Sequence, residues 1–390
     1  MNQTDTYLKK HGGDVVRFAQ ELVRIGSVHG NEREVAEVIA KKLRNHGIKS
    51  RIIGPRGDRK SLVADIGKGQ KTLMLNGHLD TVPIGNEKKW QFAPLSGRVS
   101  GGKLYGRGSM DMKSSIAAAV FAAISLVETG SKLNGRLRLL FNFDEESGVH
   151  TGVKDALDRG ISANAAIVCE PMSDRVVNIG AKGIYRFELI VYGKTGHTGS
   201  VKNKGINAVT KMAKLLLALE HLKPKYTKHP LFTHPLITPG TVISGGTSIN
   251  VYPDECKALV DCRLTYGQAK AALLREIKKC LNVEKQRDKS IKYTIRDLTL
   301  IPPVLTEKTD PIVLSTQQAF KEIAGFKPKL LTINGVTDGN ILYRSGIPCV
   351  VFGVQGGNIH SENEFALIQS IKLMPRLYIA VAADYLESEG

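Results

Sequence analysis

The chain of 390 residues predicts an α/β protein with a smaller α+β domain inserted into it. Three observations carry this. Short apolar runs bounded by turn residues alternate with amphipathic helices as far as Glu170, the pattern of an α/β sheet. From about Gly180 to Leu298 the order changes to βαββαβ, that of a ferredoxin-like unit. The α/β pattern then resumes. The expected division is 1–179 with 299–390 for the first domain and 180–298 for the inserted one.

The elements follow in order. Asp14 to Ile25 places Val15, Phe18, Ala19, Leu22 and Val23 on one face, which predicts a helix. A turn at Ser27 to Glu32 leads to a second helix, Glu32 to Asn45, ended by Gly47 in a left-handed conformation. Ile48 to Ile53, Leu62 to Ile66 and Thr72 to Leu75 read as strands. Asp111 is expected to open a helix over Met112 to Thr129. Leu137 to Phe143 and Ala165 to Cys169 are strands. In the insert, strands at Ile184–Tyr192, Thr241–Ser244, Cys256–Leu264 and Ile291–Leu298 alternate with helices at Ile206–Leu222 and Gln268–Leu281. A helix at Asp310–Ala324, an apolar strand at Pro348–Phe352 and a helix at Leu367–Leu386 finish the chain. Pro375 should break or kink the last one.

Composition narrows the function. A formal charge of +18 invites a nucleic-acid reading, but Lys and Arg are scattered with no aromatic-interleaved basic tract. A solvated basic surface that draws in anionic substrates is the simpler reading. Five cysteines form no C-x-x-C pair, which points to a reducing compartment rather than a disulfide scaffold. With no signal pattern at the N-terminus, a cytoplasmic location is expected. The apolar run Ile116–Val127 is too short for a bilayer and reads as a core helix. Gly193-Lys194-Thr195 lacks the upstream glycine of a phosphate loop, since Glu188 stands there.

Four apolar runs lead into acidic or imidazole side chains. Leu73-Met74-Leu75 passes through Asn76-Gly77 to His78-Leu79-Asp80. Leu137–Phe143 enters Asp144-Glu145-Glu146, Ala165–Cys169 enters Glu170-Pro171, and Pro348–Phe352 passes a glycine loop to His360. Asp111 joins them at an expected helix start, where the dipole favours a carboxylate. Ligands of open α/β sheets sit beyond the carboxyl ends of parallel strands. Two histidines and several carboxylates in such a crevice fit a two-metal hydrolytic site. Residues two apart on a strand share a side, so Asp80 can hold the far nitrogen of a metal-bound His78.

The segments Gly77–Pro83, Gly106–Lys113, Asp144–Gly148, Glu170-Pro171, Gly196-His197 and His360–Glu364 come in one order over nearly the whole chain. Together they resemble the M20 metallopeptidases and deacylases, which include acetylornithine deacetylase, succinyl-diaminopimelate desuccinylase, aminoacylase and carboxypeptidase G. The resemblance implies a zinc-peptidase-like catalytic domain with a central mixed sheet, and a ferredoxin-like lid and dimerisation domain inserted in it. It implies that His78 and Glu170 bind one metal, Glu146 and His360 the other, and that Asp111 bridges them. Two Zn2+ per chain are expected, with Co2+ or Mn2+ as substitutes. Asp80 supports His78, and Glu145 is the general base that passes a proton from the attacking water to the departing amine. His197 reaches across a homodimer to stabilise the oxyanion. Asn250, Arg263, Thr337 and Gly339 bind substrate, Arg263 as a carboxylate clamp. Glu364 is structural.

The implied function is a two-zinc amidohydrolase that cleaves an amide bond beside a free carboxylate. Within the family an N-acyl amino acid deacylase of the acetylornithine deacetylase or succinyl-diaminopimelate desuccinylase type leads, and a carboxypeptidase or dipeptidase is the alternative. A binding protein that kept only the fold would have lost a ligand or the base, and none is missing here. The expected partners are a small N-acyl amino acid or short peptide and a second copy of the chain. Neither membrane nor nucleic acid is among them.

Overall fold

The structure is a computed structural model that describes residues 2–171, 175–202 and 204–387. The chain falls into two compact units. The first comprises Met1–Gly180, Thr306–Leu331 and Thr337–Gly390, the second Ala181–Leu305 and Thr332–Val336. Residues 299–305 and 332–336 therefore pack with the second unit.

The first unit is built on a mixed sheet. Its strands run in the order Ser50–Ile53, Ser61–Gly67, Arg136–Asn142, Thr72–His78, Ala165–Val168, Cys349–Val351 and Val176–Ala181. The four from Arg136–Asn142 to Cys349–Val351 are mutually parallel. Every residue of Thr72–His78 is buried, as a strand covered on both faces must be. Register decides what this sheet presents. His78 lies opposite Asn142, Asn76 opposite Val168, and Val168 opposite Val351. All four strands thus release their chains along one edge.

Helices Gly12–Val23, Ser114–Glu128 and Ile368–Glu387 belong to this unit. The stretch Ser109–Glu128, a turn followed by helix Ser114–Glu128, is long and apolar enough to cross a membrane, yet 89% of its most apolar window is buried inside the fold. Its helix is a core helix. Two expectations are corrected here. Asp111 does not open the helix, which starts at Ser114. Asp111 sits in a wide turn, Ser109–Lys113, with an extended backbone of φ −118° and ψ 94°. Pro375 does not break the last helix, which runs through it. Met374, Leu377 and Tyr378 around it are all buried, and that packing holds the helix where propensity alone would end it.

The second unit is an antiparallel sheet in the order Leu236–Gly245, Glu255–Leu264, Gly183–Tyr192 and Lys292–Ile301. With helices Ala208–Glu220 and Lys270–Arg287 this is the ferredoxin-like arrangement. Cys256, Ala258, Val260, Cys262 and Leu264 alternate inward against Met212, Leu215, Ile277 and Leu281.

Candidate metal centre

The parallel strand ends bring the predicted ligands of the first unit together. His78 closes its strand. Glu170 follows Val168 by two residues. Asp144, at φ 65°, turns the chain so that Glu145 and Glu146 come back towards His78. Asp80 fixes that turn: its Oδ1 accepts from the Glu145 N–H at 3.2 Å and its Oδ2 from the Glu146 N–H at 2.9 Å. His78 Nδ1 lies 3.0 Å from the carbonyl oxygen of Asp80 and 3.6 Å from its carboxylate. That leaves His78 Nε2 facing inward.

Asp111 is delivered by a loop that another residue holds. Glu364 is buried, and its carboxylate accepts from Arg107 Nη1 at 2.7 Å and from the N–H groups of Gly108, Met110 and Asp111 at 3.0, 2.8 and 3.1 Å. Gly108 has φ 78°, and a Cβ there would stand 2.7 Å from Thr81 Cγ2, so only glycine fits.

Each oxygen of Asp111 faces its own histidine and glutamate. Oδ1 lies 3.0 Å from His78 Nε2, which is 3.7 Å from Glu170 Oε1. Oδ2 lies 3.0 Å from His360 Nε2, which is 3.1 Å from Glu146 Oε2. The ligand atoms of His78, Asp111 and Glu146 all lie within 4.8 Å of one another, as do those of His78, Glu145 and Glu170. Electrostatics says what this cluster would hold. Burial, with the charge of Glu170, holds the Glu145 carboxyl well above the usual range. Burial, with the charge of Asp111, does the same to Glu170. The hydrogen bonds to Asp111 and Glu146 push His360 up to about 10. Glu146 Oε1 is buried with no hydrogen-bond partner. Buried carboxylates this crowded favour positive charge, and the nitrogen and oxygen donors suit divalent cations such as zinc.

Of the remaining predicted residues, Thr337 and Gly339 belong to the first unit and His197, Asn250 and Arg263 to the second. His197 is on the second unit, exposed, with Nδ1 accepting from the Gly199 N–H at 3.0 Å. Its proton therefore sits on Nε2 in the neutral ring. Asn250 is on the adjoining loop, where its carbonyl accepts from the Thr198 N–H at 3.0 Å and its Oδ1 from Ser248 Oγ at 2.6 Å. Arg263 lines a cavity of ≈ 580 Å³ with Arg186 and Asp261. Both arginine Nε atoms donate to Asp261, at 2.6 Å from Arg263 and 2.8 Å from Arg186. Thr337 caps helix Asp338–Arg344, its hydroxyl accepting from the Gly339 N–H.

Sequence reasoning missed two buried residues beside Glu145. His150 Nδ1 lies 2.9 Å from Asp338 Oδ1 and 3.7 Å from Glu145 Oε1. Asp338 was within reach, since it stands between Thr337 and Gly339. Nothing in the local pattern marks His150. A further group, His29, Glu32 and Asp80, also gathers donor atoms. There Arg59 Nη2, 3.0 Å from His29 Nε2, already supplies a positive charge.

The chain is similar to known proteins over most of its length. Residues 74–384 match the sequence profile of Peptidase family M20/M25/M40. The succinyl-diaminopimelate desuccinylase of Pelagibacter ubique is 28% identical over 386 residues, covering 95% of this chain and 98% of that protein. Human carnosine dipeptidase 1 superposes with a TM-score of 0.79 at 17% identity, covering 99% of each chain. A dinuclear metal binding peptidase of the M20 family from Bacillus subtilis gives 0.76 at 16% identity, covering 98% of this chain and 100% of that one.

Proposed function

The chain belongs to peptidase family M20/M25/M40, the metal-dependent hydrolases of amide bonds, and on that premise we propose that it is a two-zinc N-acyl amino acid deacylase. The preferred substrate is an N-succinyl amino acid of the diaminopimelate type. One observation carries the metal reading: each oxygen of Asp111 faces a separate histidine–glutamate pair. The full-length similarity to a succinyl-diaminopimelate desuccinylase favours the substrate.

In this proposal His78 and Glu170 would hold one zinc, His360 and Glu146 the other, with Asp111 shared. Bound zinc supplies Lewis acidity and lowers the pKa of water towards neutrality. Glu145 takes the proton from the attacking water on its carboxylate and delivers it to the departing amine nitrogen. Asp80 holds the turn that aims Glu145. His197 of a second copy would donate from Nε2 to the oxyanion. Asn250, Arg263, Thr337 and Gly339 would bind the substrate. In Arg263 the Nη groups serve this role, since Nε is engaged by Asp261.

A homodimer through the second unit is supported by its edge strand. Among the described residues Leu236–Gly245 pairs on one side only, and Val242 and Ile243 are 57% and 51% exposed. Apolar edge strands invite pairing with another chain. The five cysteines are free, which accords with a cytoplasmic setting. The test is a hydrolysis screen of zinc-loaded protein on N-succinyl-diaminopimelate, N-acetylornithine, other N-acyl amino acids and dipeptides. Cleavage of the succinyl substrate with the highest kcat/KM is expected. Preference for dipeptides would replace the deacylase by a dipeptidase, and inertness towards all would remove the enzymatic reading.

A further inference from the structure

We infer that His150, held by Asp338, is a positioning residue that keeps the Glu145 carboxylate aimed into the metal centre. The inference rests on Glu145 being the proton carrier proposed above.

His150 is held where neither its backbone nor solvent calls for an imidazole. It has φ 57°, a left-handed conformation that glycine or asparagine adopts at less cost. Its side chain is 1% exposed, so a charge-capable ring has been buried at a position that would be easier to fill otherwise. What it touches explains its presence. Asp338 Oδ1 is 2.9 Å from Nδ1. Asp338 Oδ2 accepts from Asn142 Nδ2 at 2.6 Å, and Asn142 Oδ1 accepts from Asn76 Nδ2 at 2.7 Å.

The row Asn76, Asn142, Asp338, His150 is thus anchored in two adjacent parallel strands, the same two that release His78 and Glu145. Asp338 is fixed by an amide donor on one oxygen and fixes the His150 tautomer with the other, placing the proton on Nδ1. That N–H is the one nearest Glu145 Oε1, at 3.7 Å. The gap exceeds a hydrogen bond and the Nδ1 proton is already given to Asp338, so the ring meets the Glu145 carboxylate as a fixed neighbour that limits where it can swing. Glu145 is consequently flanked at both ends, its backbone N–H bound to Asp80 at 3.2 Å and its carboxylate standing against the held His150 ring. Its carboxylate is kept within 4.8 Å of ligand atoms of His78 and Glu170.

The test combines kinetics with a spectrum that needs no turnover. In zinc-loaded full-length protein with N-succinyl-diaminopimelate, His150→Ala should lower kcat about 10- to 100-fold, the range for residues supporting a metal site. KM should stay within about twofold and zinc content should not change. His150→Gln, which restores bulk beside Glu145 and an N–H for Asp338, should recover part of the loss. In a Glu145→Ala background, adding His150→Ala should lower the residual rate no further, because the two act as one unit. A fully additive loss, a wild-type kcat, or a joint loss of KM, kcat and zinc overturns the inference. If His150→Ala does not fold, His150→Gln and Asp338→Asn enter the same cycle. Independently, the nitrogen-15 spectrum of the imidazoles should show His150 protonated at Nδ1, with a resonance that moves on Glu145→Gln. A resonance indifferent to that change overturns the contact, even if the protein cleaves none of the substrates and the proposed function fails by itself.

Discussion

Removing Glu364 should unlock the centre without touching a metal ligand. The carboxylate is 1% exposed and Arg107 is 3% exposed, so neither charge has water to fall back on. Glu364→Ala strands the Arg107 guanidinium and leaves the N–H groups of Gly108, Met110 and Asp111 without their acceptor. Removing one partner of a buried ion pair costs about 3–5 kcal/mol. Each N–H left dry would add to that, but water entering the vacated volume offsets much of the addition. The expected loss is therefore about 3–5 kcal/mol in metal-free protein, where zinc binding does not mask it. The single tryptophan of the chain, Trp90, gives the assay, because the Arg107 guanidinium lies 5.3 Å from its ring. Urea unfolding followed by Trp90 fluorescence should show the loss, and Glu364→Gln, which keeps the shape and one acceptor oxygen, should show a smaller one. A Glu364→Ala destabilisation below about 1 kcal/mol would refute the view that this residue builds the loop.

Three further outcomes are expected. Glu145→Ala should lower turnover about a hundred- to ten-thousandfold with zinc content intact, whereas Glu146→Ala should lose one of the two zinc ions; equal metal loss in both would mean the roles are misassigned. His197→Ala should turn over roughly a hundred- to a thousandfold more slowly, and mixing it with Glu145→Ala under subunit exchange should restore up to about a quarter of wild-type activity; confirmed heterodimers as inactive as both parents would place His197 outside the partner's site. Burial pushes the Glu32 carboxyl up to about 7, above its unfolded value. Its stabilising contribution is therefore complete at low pH and is lost as pH rises through about 7. In metal-free protein Glu32→Gln should match wild type near pH 4.5 and exceed it by about 2–3 kcal/mol at pH 8; equal stability at pH 8 would count against a buried, protonated Glu32.

The strand ends were legible because they obey local rules. A run such as Leu73–Leu75 or Ala165–Cys169 is apolar throughout, stops at a polar residue, and needs no distant partner to be recognised. The inserted sheet was legible for the same reason, through the alternation of Ala258, Val260 and Cys262. Asp111 was misread because Met112 and Lys113 are ordinary helix residues. The turn there is imposed by Glu364, which takes the N–H groups of Met110 and Asp111 from more than 250 positions away in sequence. The pair His150 and Asp338 is equally non-local, and neither residue lies on a periodic face. Of the two outcomes expected at Pro375, the break did not occur: a strong local signal yielded to the burial of its neighbours.

Zinc stoichiometry tests the central claim most directly. Metal-free protein titrated with zinc and freed of loose ions should bind close to two per chain by elemental analysis, as two donor sets sharing Asp111 require. Glu170→Ala and Glu146→Ala should each bind close to one, and Asp111→Ala should bind neither tightly. A wild-type value near one or zero, or one unaltered by Asp111→Ala, would contradict the account.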